Sequence, residues 1–239
     1  MQMDSEFILP QLSPWYKKKF LQYATQVLES QQKMSASTGK NILHYTLQDN
    51  ERHERFKHYP SKERIDSSTG AQYFYHCHRE DYETTEHGHF HCFLRYKHIP
   101  KLIKPSALDD WDRYMKNPMT HLIAIGMSQV GMPIRLFTVN RWVSTEIWYD
   151  AIHAPKLLNR FNFKTTPESD SYWHVLDKWV EGILHLFSPQ ISWLHHERDK
   201  LIHSYQEKDP NENIYLKQEI EELSSIDINL QKQVEWIIS

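Results

Sequence analysis

Gln72-Tyr-Phe-Tyr-His-Cys-His78 and His87-Gly-His-Phe-His-Cys-Phe-Leu-Arg95 decide the fold. Both are aromatic-rich and alternate with period two, the pattern of half-buried strands. The charged run Glu80–Glu86 between them reads as a hairpin loop. A second pair follows, His121–Met127 and Pro133–Asn140, around Ser128-Gln-Val-Gly131, whose glycine can take the left-handed position that closes a short hairpin. Its strands are apolar on both faces, which places them centrally. Two hairpins predict a mostly antiparallel sheet of about four strands.

Outward from the sheet the pattern turns helical. Ser13-Pro14 starts an N-terminal helix carrying Phe20, Ala24, Val27 and Leu28, fading near Gln31 to Ser37. Residues 38–70 read as a loop-rich approach. After Asn140, Ser144 or Thr145 can cap a helix bearing Ile147, Trp148 and Ala151. Ser169–Phe187 sets Val175, Trp179, Ile183 and Leu186 on one stripe; Ser188-Pro189 starts another helix, Asp209-Pro-Asn211 breaks it, and Ile214–Ser239 predicts one or two more. The fold class is α+β. Residues 1–165 form a core with the His-rich sheet face and 166–239 a helical part packed on it, with a weak boundary near Thr165–Glu168.

Composition narrows the function. The chain has 239 residues with 28 Lys+Arg against 31 Asp+Glu, so no global basic field points to nucleic acid or an anionic membrane. No apolar run approaches the ~20 residues of a membrane helix, and the start lacks a signal peptide's segments. Two cysteines exclude a disulfide scaffold and imply a reduced, cytoplasmic setting. Only 6 glycines occur, spaced so that neither GxGxxG nor GxxxxGK[ST] can be built. Histidine is abundant at 16; charging all of them would move the formal charge from −3 to +13. Clustered, buried histidines predict a steep loss of stability between about pH 6.5 and 5.

Five histidines fall at HxH and HxHxH spacing: His76, His78, His87, His89 and His91. Alternate residues share a strand face, so His87, His89 and His91 point one way and Phe90 and Cys92 the other. Setting Cys77 opposite Phe90 gathers His76, His78, His89 and His91 on one face and both cysteines on the other. With strands ~4.8 Å apart, those rings come within reach of one ion. The reading is a divalent transition metal (Zn, Fe or Mn) acting on a small-molecule substrate. Hydrolysis by a metal-activated water leads. The rivals are non-haem iron oxygenation and a non-enzymatic ligand pocket. Glu86 and Glu146 are the candidate catalytic carboxylates, as base or as the carboxylate of a two-His iron site. Asn140 and Arg141, before a capped helix, are candidate anion binders. His121, at the start of a central strand, could join the cluster but reads first as structural; His195–Asp199 reads as solvated helix surface, and Trp173, Trp179 and Trp193 as core.

His89-Phe90-His91 resembles the His-hydrophobic-His motif of rolling-circle endonucleases, in which a helical Tyr attacks DNA. That Tyr, commonly with a Lys three residues on, follows the motif in the family, whereas here the spacing occurs only at Tyr16/Lys19, upstream. A broader match covers about residues 56–200. His58-Tyr-Pro60, Tyr75-His-Cys-His-Arg79, Glu86-His-Gly-His-Phe-His91, His121-Leu-Ile-Ala-Ile125 and Phe137 through Trp142 resemble a bacterial family of unknown function, which implies no activity.

Overall fold

Ser13 accepts a hydrogen bond from the Tyr16 N–H, and the helix it starts, α1 (Pro14–Thr38), runs past the expected fade to a left-handed Gly39. The computed structural model describes residues 6–39, 41–48, 54, 56–77, 85–108, 115–116, 118–164 and 171–239. His78 and the 165–168 boundary lie outside them. The order continues α2 (Ile42–Leu47), β1 (Tyr59–Ile65), β2 (Ala71–His76), β3 (Glu86–Arg95), β4 (Met119–Ser128) and β5 (Pro133–Val139). Then come α3 (Arg141–Ser144), α4 (Ala154–Leu158), α5 (Ser171–Leu186), α6 (Ser188–Lys208), β6 (Glu222–Asp227) and α7 (Leu230–Ile238).

The fold is α+β with one antiparallel sheet in the order β1-β2-β3-β4-β5-β6. It has six strands, not about four. Both unexpected strands are edges, where one face and one hydrogen-bonding side are free and alternation relaxes. Tyr59-Pro-Ser-Lys-Glu-Arg-Ile65 carries Pro and charge and is broken by a bulge between Tyr59 and Arg64. Glu222–Asp227 lies where a helix was expected, its polar serines serving the sheet; Thr138 and Ser224 hydroxyls meet at 2.6 Å. The central hairpin closes as expected, with Gly131 at φ 76° and its N–H on Ser128 O.

The expected helix capped by Ser144 or Thr145 is absent. The chain makes one turn from Asn140, and left-handed Thr145 ends it; Ile147 and Trp148 are buried from an irregular stretch and Ala151 from a 3-10 turn instead. The main core lies on one sheet face, where Tyr73, Tyr75, Phe90, Cys92 and Leu94 meet α5; Trp179 packs on Phe90. Helix α1 crosses α5 so closely that a Cβ on Gly182 would stand 2.7 Å from Val27 Cγ2. A buried Arg64–Asp177 pair ties β1 to α5, with the Tyr73 hydroxyl donating to the same carboxylate at 2.8 Å. Among the described residues, no helix is long and apolar enough to cross a membrane.

Candidate metal centre

The β2–β3 register has the expected parity, displaced by one pleat. Tyr75 opposes Phe90 and Tyr73 opposes Cys92, while His76 opposes His89 and Phe74 opposes His91. His76, His89 and His91 therefore share the face away from the main core. One ring nitrogen from each lies within 4.8 Å of the others. His76 Nε2 and His89 Nε2 are 2.9 Å apart. Around an ion with bonds of ~2.0–2.1 Å, tetrahedral ligand nitrogens stand about 3.3 Å apart, so small ring rotations would seat one. His89 and His91 are only 6% and 5% exposed, collared by Phe74, Phe93 and Phe137.

Two bulges in the β3–β4 ladder decide what else reaches this face. The first, between Glu86 and Gly88, inserts a residue and exchanges the faces of Glu86 and His87. Glu86 arrives at the trio, with Oε1 3.0 Å from His89 Nδ1 and Oε2 paired with Arg135. His87 turns away, its Nδ1 2.6 Å from the Tyr75 hydroxyl and 3.8 Å from Cys77 Sγ. The expectation that His87 shares the face of His89 is thus corrected. Burial alone would raise the Glu86 carboxyl, but hydrogen bonds from His89 and Arg135 outweigh it and hold it below the usual range.

The second bulge leaves Leu122 unmatched between His121 and Ile123. It brings His121 onto the trio's face, Nε2 3.0 Å from His91 Nδ1. Burial, with Arg198 and His89 nearby, pushes His121 down to about 3. Its ring is neutral and can accept the Nδ1–H of His91, freeing His91 Nε2 for an ion. The carbonyl freed at Leu122 is buried and takes a hydrogen bond from His195 Nε2 at 2.7 Å. His195 and Arg198 are buried, which corrects the reading of that stretch as solvated surface; α6 packs against the sheet there.

The remaining candidates sit elsewhere. Glu146 is buried and accepts from the His121 N–H at 2.7 Å, the Ser144 hydroxyl at 2.8 Å and the Thr120 hydroxyl at 3.1 Å. Burial raises it despite these bonds and the Arg198 charge. It braces the bulged backbone and is not among the groups gathered at the trio. Asn140 Oδ1 accepts from the Arg141 N–H, and its Nδ2 donates to Ile214 O and Ile220 O, while Arg141 Nε donates to Glu146 O. These inward bonds make a clamp before β6. Trp179 is core, and Trp173 and Trp193 flank it.

Sequence reasoning passed over Arg135 and Asp227. The register supplies them: His76, His89, Gly126, Arg135 and Asp227 stand opposite one another across five strands. A lone Arg in the apolar run Pro133–Val139 was the available signal. Gly126 makes room for the Glu86–Arg135 pair, since an added Cβ would stand 2.7 Å from both Glu86 Oε2 and Arg135 Cγ. The trio opens on a cavity of about 1180 Å³ bordered by β5, Trp142 and β6. No curated protein and no solved structure matches the chain. A family model described as a domain of unknown function, DUF6969, matches residues 21–228, and the chain therefore belongs to that family.

Proposed function

We propose that the protein is a metal-dependent hydrolase in which His76, His89 and His91 hold one divalent transition ion at the floor of the cavity. The observation that carries this reading is the convergence of three imidazole nitrogens within 4.8 Å beside open space. Three neutral imidazoles and an open fourth position suit zinc, which makes bound water a nucleophile near neutral pH. Glu86 acts here by position. One oxygen meets His89 and the other Arg135, an arrangement that fixes the ring and raises its basicity. The same occupancy argues against Glu86 as the carboxylate ligand of an iron oxygenase.

Elemental analysis of protein purified without a His-tag is expected to give about one equivalent of a divalent transition metal. Replacing His89 and His91 together by Ala is expected to abolish it. A folded H89A/H91A protein that keeps full metal would overturn the assignment. A metal-free wild type that refuses zinc would leave the trio lining a ligand pocket, its rings bonded to one another.

A further inference from the structure

We infer that the cavity takes a ligand with a cationic end, an ammonium or guanidinium on an apolar stem, whose other end meets the ion. The inference rests on the metal reading for the second contact only. Four carboxylates border the cavity, Glu86, Glu221, Glu222 and Asp227, against one described cation, Arg135. Arg135 is already neutralised: it pairs with Glu86, with Glu222 at 2.6 Å, and lies 4.0 Å over the Phe137 ring. Glu221 and Asp227 have no ion-pair partner among the described residues, so the cavity's uncompensated charge is negative and sits at its β6 side. A bound divalent ion would not reverse that sign at the rim.

Placement sets the ligand's length and character. Asp227 is in the same cross-strand row as His89, three strand spacings away, or about 14 Å. Between them stand Gly126 and Arg135, whose charge is already paired with Glu86 and Glu222. The wall beside this row is apolar and aromatic, with Phe137, Val139 and Trp142. Such walls take a hydrocarbon stem. Anionic substrates, phosphodiesters and nucleic acid included, meet repulsion from the same rim.

Three probes share one metal-binding head and one chain length: 8-aminooctanohydroxamic acid, octanohydroxamic acid and the monohydroxamate of octanedioic acid. Calorimetry on zinc-loaded protein at low salt is expected to rank them cation, neutral, anion, with about tenfold between the extremes. Raising the salt should narrow the gap, because the rim carboxylates are exposed. The E221Q/D227N variant should lose most of the discrimination while retaining zinc. Octylamine and octanoate, followed by NMR on metal-free protein, read the charge preference without the ion. Failure to bind zinc with octylamine still favoured defeats the metal reading and leaves the cationic preference standing. Equal or reversed ranking, or unchanged discrimination in E221Q/D227N, overturns the inference.

Discussion

Glu86 shows how one residue's role is set by its neighbours. Sequence reading offered it as a base or ligand, and the bulge instead delivers its carboxylate to His89 Nδ1 and to Arg135. A carboxylate behind a ligating imidazole typically changes metal affinity about 10–100-fold when removed. E86Q is therefore expected to weaken zinc binding by roughly that factor while leaving the fold intact. Competition with a chromophoric chelator measures it. Unchanged affinity in E86Q would show that His89 needs no such support. His89 and His91 were legible because HxH spacing alone sets two rings on one strand face. His121 was legible only as the less favoured alternative, since it reaches that face through a bulge that period-two counting cannot foresee.

At the scale of elements, the edges and the joints between layers were the hidden part. Strand β1 has little apolar pattern, and what holds it to α5 is the Arg64–Asp177 ion pair. Burial raises the Asp177 carboxyl, though Arg64 and the Tyr73 hydroxyl oppose it. Removing one partner of such a buried pair leaves the other uncompensated, at a cost of about 3–5 kcal/mol. D177A should lose stability of that order in urea unfolding, whereas pairing it with R64M should restore part of the loss. A single mutant within a few tenths of a kcal/mol of wild type would mean that β1 is held by its ladder alone. Gly126 gives a second test, between β3 and β5. G126A has to displace the Glu86–Arg135 pair, so zinc affinity should fall as in E86Q while the melting temperature moves less than in D177A.

Across the whole molecule, histidine burial sets the response to acid. His195 lies well below its ordinary value, through burial and the Arg198 charge, although its bond to Leu122 O opposes this. His185 is also lowered by burial, against the pull of Glu181 and its bond to Phe161 O, with Lys19 and Lys178 adding to the depression. The unfolded chain titrates near 6.5, so it binds protons that the folded state refuses. Stability is complete above that pH and falls as the pH drops toward the folded values. Each such group removes up to about 1.4 kcal/mol per pH unit, so the melting temperature should drop by several degrees between about pH 6.5 and 5. H195Q keeps a donor for Leu122 O without the titration and should flatten the slope. An equally steep profile in H195Q would assign the effect to other groups. The sequence by itself determined the α+β class, the central hairpins, the parity that puts His76, His89 and His91 on one face, and the long helices. Each follows from a local period, 2.0 or 3.6, that burial enforces. Only the tertiary structure decided the two edge strands, the bulges that recruit Glu86 and His121, and the row from His89 to Asp227. Those depend on which distant backbone groups pair, and a one-residue insertion in a ladder reverses faces without leaving a mark in composition or periodicity.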